Sequence, residues 1–296
     1  MNRKGESFAM EFRTFRDADY EAVCTFLIEL NRLDRTRIHW NWARFEWMYE
    51  HPEFDKDARN AIGLWWDEDR IVGAAIYDMY FGEAFCGVLP GWEALYPQVL
   101  DYAFEALRDE NGLGIALCDT NLEQISAAEQ QGFGKAEQTE NVMATELSSV
   151  LPKTLPEGLH LASPDPIRDA EDLAWLFWRG FDHGEDRAEF EREDPVIPQR
   201  RPHFDPDLSL AAADPSGELV GCCCLWHFPG TDYAYVEPVC VVPAWRGKGL
   251  GKALVHTALH RAKKKGAKRA YVISDMDFYR KLGFETACHY TFYWKT

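Results

Sequence analysis

The sequence predicts an α/β (α+β) fold that occurs twice, each copy being a mixed, mostly antiparallel sheet flanked by helices. Three short stretches of the first half recur in the same order about 150 residues later. A segment around residues 148–158 carries Pro152 and Pro156 and favours neither helix nor strand. The order of elements in the second half is that of a helix-covered mixed sheet. We therefore predict two domains, residues 1–150 and 151–296.

The three repeated stretches are short but keep their order. FRDADYEAV resembles IRDAEDLAW, DRIVGAAIY resembles GELVGCCCL, and AEQQGFGKAE resembles YRKLGFETAC. Each pair alone is a weak match. Their common order and nearly constant spacing predict two copies of one fold.

The elements of the second half follow from its hydrophobic patterns. LHLASP reads as a strand, and residues 166–181 as an amphipathic helix with Ile167, Leu173, Leu176 and Phe177 on one face. DLSLAAAD, ELVGCCCLWHF and DYAYVEPVCVV are three further strands. A helix follows that ends at Gly266, where a glycine and basic residues are typical of a helix C-terminus. RAYVIS, DMDFYRKLG and HYTFYWKT complete the domain as strand, short helix and strand.

Composition limits the partners. The chain of 296 residues has a formal net charge of −17, which disfavours general binding to nucleic acid or to anionic membranes. Its eight cysteines lack the spacing of a zinc site, so we predict no metal, and GCCCLW reads as a buried strand. The N-terminus has no apolar signal core and no long apolar run occurs, which predicts a protein of the reducing cytoplasm.

A glycine loop joins the strand DYAYVEPVCVV to the next helix. Arg246-Gly247-Lys248-Gly249-Leu250-Gly251 offers backbone N–H groups at a helix N-terminus, which suits a diphosphate. A Walker loop is excluded because Ala253 follows Lys252 where serine or threonine is needed. A dinucleotide fingerprint is excluded because its third glycine would fall at Lys252.

The stretch from Val241 to Gly251 instead resembles the acetyl-coenzyme A loop, R-x-x-G-x-G after V-x-P, of the GNAT N-acetyltransferase superfamily. Residues 278–284 are similar to that family's Y-x-x-x-G-F segment, and the element order also resembles the family's fold. The resemblance implies acetyl-CoA as cofactor, with the loop N–H groups on the pyrophosphate and the preceding strand on the pantetheine arm. The implied cofactor-binding residues are Cys240, Val241, Val242, Arg246, Gly247, Lys248, Gly249, Leu250, Gly251 and Lys252.

Two residues are candidates for proton transfer. The resemblance implies that Tyr279 donates a proton to the departing thiolate, although an aromatic ring that covers the sheet edge is the alternative. Glu237 stands where family members often carry an acidic residue, and we expect it to accept the proton of the attacking amine. A carboxylate on a solvated strand face, or one that only orients the substrate, is the alternative.

The first half lacks both features. Its counterpart of the glycine loop reads CGVLPGWEALYP, in which Pro97 would disturb a row of N–H donors. Ala128 stands four residues before Gly132, where Tyr279 stands four before Gly283. We therefore predict a degenerate copy that supports the second domain, covers its sheet edge or walls the substrate pocket.

Three further features each allow two interpretations. The aromatic stretch with Trp40, Trp42, Phe45, Trp47 and Tyr49 is either a substrate wall or a helix packed on a core. Residues 177–194 carry acidic side chains that either recognise a cationic acceptor or face water. His227 is either a proton shuttle or a histidine satisfied within its loop.

Taken together, the sequence predicts an acetyl-CoA-dependent N-acetyltransferase that acts on a small-molecule amine by direct attack on the thioester. The alternatives are a protein or peptide N-acetyltransferase and a CoA-binding regulatory module without turnover. The oligomeric state and the identity of the amine stay open.

Overall fold

The computed structural model describes residues 10–51, 54–166, 168–192 and 202–296. Ile167, predicted on the apolar face of a helix, and the last two residues of the acidic stretch 177–194 lie outside the described residues. Within those ranges the chain forms two compact units. Unit 1 comprises residues 10–49, 54–142 and 288–296, and unit 2 comprises residues 143–287 together with the short stretch 50–51.

Among the described residues, the first part of the chain contains six strands and four α-helices. In chain order they are β1 Glu11–Thr14, α1 Tyr20–Leu33, α2 Trp42–Tyr49, β2 Gly63–Asp67, β3 Arg70–Asp78, β4 Tyr80–Val88, α3 Tyr96–Leu107, β5 Leu113–Cys118, α4 Leu122–Gln130 and β6 Gly134–Glu146.

In the part of the remaining chain that the structure describes there are again six strands and four α-helices. They are β7 His160–Ala162, α5 Ala170–Gly180, α6 Arg187–Arg192, β8 Ser209–Ala213, β9 Leu219–Trp226, β10 Tyr233–Val241, α7 Leu250–Lys264, β11 Arg269–Ile273, α8 Asp277–Arg280 and β12 Glu285–Lys295.

Unit 1 is a mixed sheet in the order β1-β2-β3-β4-β5-β12. All its neighbours run antiparallel except β4 and β5, which are parallel. Helices α1 and α3 both pack on β3. The end of the chain belongs to this unit because β12 pairs with β5 from Tyr290 to Lys295.

Unit 2 repeats this plan. Its strands run in the order β11-β10-β9-β8-β7, with the end of β6 beside β11, where the Leu147 N–H donates to the Lys268 carbonyl at 2.8 Å. Only β10 and β11 are parallel among these five strands. Helices α5 and α7 both pack on β9 and β10. Each unit is thus a mixed, mostly antiparallel sheet with helices, which confirms the predicted fold class.

The division into units does not follow the chain as two consecutive halves. It falls between Val142 and Met143 and again between Ala287 and Cys288, so β6 and β12 are each divided between the units. No local pattern in the sequence indicates this division, because it depends on which distant strands β6 and β12 lie beside. The assignment of residues 151–296 as the catalytic domain stays a prediction.

The core of unit 2 lies under the strands that carry the predicted site. Leu250, Leu254 and Ala258 of α7 are buried in it beside Cys222 and Cys240 of the sheet. The GCCCLW stretch lies in β9 as predicted, and all eight cysteines of the chain are free thiols. The first turn of α7, and with it the glycine loop, is therefore anchored to the sheet by apolar packing.

Candidate active site

The site begins where β10 leaves its neighbour β11. The two strands pair in parallel only from Tyr233 to Tyr235, although β10 continues to Val241. On its other side β10 stays paired with β9 up to Val241. Within the described part of the chain, no strand pairs with the β11-facing edge of β10 beyond Tyr235. This edge can therefore bond an extended ligand in the manner of an added strand.

A bulge interrupts β10 at the predicted base. The register with β9 shifts between Val236 and Val239, so Glu237 and Pro238 together stand opposite a single residue. The Glu237 carbonyl oxygen accepts a hydrogen bond from Trp226 Nε1 at 2.8 Å, and its carboxylate Oε2 accepts one from the Tyr235 hydroxyl at 3.1 Å. The Glu237 residue is half-buried.

Backbone direction selects which strand residues can bond a ligand. The Val242 N–H donates to the Val220 carbonyl at 3.0 Å, and the Val242 carbonyl accepts from the Trp245 N–H. Because N–H directions alternate along a strand, Cys240 also turns its N–H toward β9, whereas Val239 and Val241 turn theirs to the open edge. Val239 was not among the sequence-predicted residues.

The glycine loop is open at its backbone. Gly247 and Gly249 have φ angles of +72° and +85°, the left-handed region in which a side chain is strained. No described atom lies within 4 Å of a Cβ placed on either glycine, so conformation and not crowding requires glycine here. The helical ladder of α7 begins with the Ala253 N–H donating to the Gly249 carbonyl at 3.0 Å. The N–H groups of Leu250, Gly251 and Lys252 precede that bond and are left for a ligand.

Arg246 fixes the base of this loop. Its guanidinium donates to the Val241 carbonyl through Nε at 2.9 Å and to the Gly180 carbonyl at 2.9 Å. It also pairs with the Asp182 carboxylate at 2.8 Å. The side chain of Arg246 therefore ties the loop to the end of α5.

Two further cations surround the loop. Lys248 lies with Nζ 4.9 Å from the centre of the Trp245 ring, and Lys252 is exposed in the first turn of α7. On a chain with a net charge of −17, this local positive charge adds to the partial positive charge of a helix N-terminus. Open N–H groups, two left-handed glycines and local cations together fit a diphosphate.

Close packing brings Phe278, the neighbour of Tyr279 in the chain, against the first turn of α7. A Cβ on Gly251 would lie 3.2 Å from the ring of Phe278, the residue before Tyr279. Tyr279 itself is buried, and its ring lies 5.5 Å from that of Phe284. The Phe278 ring of α8 therefore lies close to the backbone of the first turn of α7, where a larger residue at position 251 would push it away.

Electrostatics connect the two predicted catalytic residues. Burial raises the pKa of Tyr279 above its ordinary value of 10, and the negative charge of Glu237 raises it further. The phenol therefore keeps its proton at neutral pH, as a proton donor must. The structure brings Glu237, Tyr279, the open edge of β10 and the glycine loop together in unit 2.

The structure distinguishes between the two interpretations for two of the three features. His227 is buried, with Nδ1 2.9 Å from the Tyr233 carbonyl and Nε2 3.2 Å from the Lys265 carbonyl, so it is satisfied within the fold. Trp40, Trp42, Phe45 and Tyr49 are all buried around α2, which confirms the core-packing interpretation for these side chains.

Sequence reasoning did not find the residues that hold the site in place. Tyr235 and Trp226 bond Glu237, and Gly180 and Asp182 bond Arg246. Tyr235 left one usable signal, because residues two apart on a strand share a face. The partners of Arg246 lie more than sixty positions away in the chain and left none.

The chain resembles known acetyltransferases over the residues that form this site. Residues 168–284 match the acetyltransferase (GNAT) family model. A mycothiol acetyltransferase of Saccharomonospora viridis is 30% identical over 177 residues, which cover 54% of this chain and 56% of that protein. One of Paenarthrobacter aurescens is 26% identical over 238 residues, covering 74% and 68%. The chain therefore spans between about half and two thirds of these curated relatives.

Solved structures extend the likeness to nearly the whole chain. A GCN5-related N-acetyltransferase from Sphaerobacter thermophilus has a TM-score of 0.57 at 18% identity, with 97% of this chain and 95% of that chain covered. A tandem GNAT protein from the clavulanic acid biosynthesis pathway has a TM-score of 0.58 at 14% identity, covering 96% and 97%. At these identities the likeness shows the fold. The family match covers the glycine loop, Glu237 and Tyr279, and residues 168–284 thus resemble an acetyltransferase domain of the GNAT family.

Proposed function

We propose that unit 2 transfers the acetyl group of acetyl-CoA to the amine of a small molecule by direct attack. The observation that carries the proposal is that unit 2 contains three elements together. They are the open N–H groups of the glycine loop, the open edge of β10, and the Glu237 carboxylate, whose charge acts on the buried Tyr279. Acetyl-CoA supplies a thioester, whose carbonyl carbon accepts the amine.

The glycine loop binds one part of the cofactor and the open edge of β10 binds another. The N–H groups from Gly247 to Lys252 bind the pyrophosphate, with the charges of Arg246, Lys248 and Lys252 around it. The pantetheine arm lies along Cys240, Val241 and Val242, and the N–H groups of Val239 and Val241 are the ones turned to it. The sheet therefore aligns the thioester beside the bulge at Glu237.

Three protein groups then act on the reacting atoms. Glu237 takes a proton from the attacking amine, because only a neutral amine is nucleophilic. The Val239 N–H, next to the bulge, donates to the carbonyl oxygen as negative charge develops there. Tyr279 donates its proton to the departing sulfur, which leaves as the free thiol of CoA.

The acceptor is a small amine. Two of the curated relatives' names support this: mycothiol acetyltransferase, and a glucosamine 6-phosphate N-acetyltransferase of Trypanosoma brucei brucei that is 36% identical over 78 residues, 24% of this chain and 53% of that protein. We place the protein in the reducing cytoplasm on its eight free cysteines. In the described residues no helix is long and apolar enough to cross a bilayer.

Replacement of Tyr279 by phenylalanine tests the function. The wild-type protein should release thiol from acetyl-CoA in the presence of a panel of amino sugars and small primary amines. Tyr279→Phe should lower kcat by about 100-fold or more, since it loses only the donated proton. Acetyl-CoA binding, measured by calorimetry, should stay within about twofold.

Tyr271→Phe is the matched control, because this buried tyrosine of β11 bonds Arg269 at 3.4 Å. Its turnover should equal that of the wild type. Acetyl-CoA binding without thiol release for any amine would instead favour a CoA-binding module without turnover. Acetylation of peptides in preference to small amines would favour a protein acetyltransferase.

A further inference from the structure

We propose that Tyr235 is a positioning residue for the Glu237 carboxylate, and that Trp226 holds the bulge on which this carboxylate stands. The inference rests on the proposed function, since it concerns the same proton transfer. It adds two residues that neither the sequence motif nor the family match designates. The argument starts from where the two side chains are anchored.

Tyr235 is the last residue of β10 that is held on both sides. It pairs with Trp226 of β9 across one edge and with Tyr271 of β11 across the other. Its side chain is only 2% exposed. The hydroxyl that reaches Glu237 Oε2 at 3.1 Å is therefore carried by the most constrained position next to the open edge.

Trp226 supplies a hydrogen bond that the bulge removes from the strand pairing. The register shift takes the Glu237 carbonyl out of the regular ladder with β9, and an unbonded buried carbonyl is costly. Trp226 Nε1 donates to this carbonyl oxygen at 2.8 Å. Tyr235 and Trp226, which face each other across the strand pair, thus bond the same residue, one at the side chain and one at the main chain.

The two bonds have different chemical effects. A hydrogen bond from a neutral hydroxyl to a carboxylate favours the charged form, which is the form that accepts a proton. It also restrains a side chain that otherwise samples several rotamers. Tyr235 therefore sets both the direction and the protonation state of the base.

The test is the pH dependence of Tyr235→Phe, which removes one oxygen atom and keeps the ring. We expect kcat/KM at neutral pH to fall about 10-fold, as one charge-assisted hydrogen bond is lost. The acidic limb of the pH–rate profile should move to higher pH, because the carboxylate is less stabilised. The KM for acetyl-CoA should not change. Tyr271→Phe should leave the profile where it is.

A double-mutant cycle with Glu237→Gln separates the possible failures. If Tyr235 acts through Glu237, adding Tyr235→Phe to Glu237→Gln should cost nothing further. An unchanged pH profile in Tyr235→Phe, with activity still lost in Glu237→Gln, overturns this inference and leaves the proposed function intact. Wild-type rates in Glu237→Gln overturn the base and this inference together. A wild-type protein inactive with every amine overturns the proposed function itself.

Discussion

The junction between β10 and α7 in unit 2 differs from the corresponding junction between β4 and α3 in unit 1. In unit 2 the Val242 N–H donates to the Val220 carbonyl at 3.0 Å, and in unit 1 the Leu89 N–H donates to the Val72 carbonyl at 2.9 Å. The chain therefore leaves the sheet with the same backbone hydrogen bond in both units. Beyond this point unit 2 continues into the open glycine loop. In unit 1 the Gly91 N–H instead donates to the Glu93 carboxylate at 2.8 Å. An acidic side chain of the protein thus takes the kind of N–H group that the other unit leaves to a ligand.

A second pair of sites shows the same contrast at the tyrosine. Phe284 N–H bonds the Tyr279 carbonyl at 3.1 Å, and Phe133 N–H bonds the Ala128 carbonyl at 3.0 Å. Gly283 and Gly132 both have positive φ angles, +91° and +87°. The backbone of this turn is retained in both units, whereas the phenol exists in one. We propose on this ground that unit 1 is a degenerate copy whose role is structural.

Of the changes that make unit 2 resemble unit 1, reversal of the charge at Arg246 should have the largest effect on the KM for acetyl-CoA. Arg246→Glu gives unit 2 the Trp-Glu sequence that unit 1 has at Trp92 and Glu93. The change removes the bonds to Val241 and Gly180 and puts negative charge beside the pyrophosphate. We expect the KM for acetyl-CoA to rise on the order of 100-fold, measured by thiol release.

Arg261→Glu is the control for Arg246→Glu, because it makes the same change in net charge near the other end of α7. Its KM should match the wild type. The reciprocal change Glu93→Arg should not create a second acetyl-CoA site, since Pro97 still lacks an N–H group in the first turn of α3. A calorimetric stoichiometry raised by one site would contradict this account of unit 1.

A smaller effect should follow from Gly249→Ala. The φ angle of +85° strains alanine by about 1–2 kcal/mol. Relief of that strain would turn the loop N–H groups away from the pyrophosphate. We expect the KM for acetyl-CoA to rise about 10-fold, with a lower free energy of unfolding. Gly217→Ala carries a comparable strain at φ +93° in the turn between β8 and β9. It should lower stability to a similar extent and leave KM unchanged.

These comparisons also show how far the sequence could lead. The glycine loop, Tyr279 and the order of elements in unit 2 could be predicted because each is encoded in neighbouring residues. The pairing of β12 with β5, and the bonds of Arg246 to Gly180 and Asp182, join distant parts of the chain and leave no local pattern. The bulge at Glu237 depends on the register between two strands, which neither strand specifies alone. Sequence therefore identified the chemical groups, and only the structure showed what holds them.

The smallest predicted effect concerns the polar groups of unit 1, which bond one another. His39 Nε2 lies 2.5 Å from the Glu140 carboxylate, and Arg44 pairs with Asp78 at 2.5 Å. Burial and the charge of Arg44 lower the pKa of His39, while the hydrogen bond from His39 lowers the pKa of Glu140 against the effect of burial. Glu237 of unit 2, by contrast, lies at an open edge and is half-buried.

The sign of this effect on stability follows from proton binding. Because the pKa of His39 is lowered in the folded state, the unfolded chain binds more protons as the pH falls. The contribution of His39 to the free energy of unfolding is therefore fully present above the ordinary histidine pKa of 6.5. It is lost as the pH falls below that value, and the lowered pKa of Glu140 extends the loss in the same direction below 4.5. The thermal midpoint should therefore decrease from pH 7 to pH 5, by about 2–4 °C for each kcal/mol lost. Arg44→Gln should make the decrease shallower and Glu140→Gln should make it steeper, because these side chains act on the pKa of His39 with opposite signs. Parallel curves for wild type and both variants would mean that His39 does not control the acid response of unit 1.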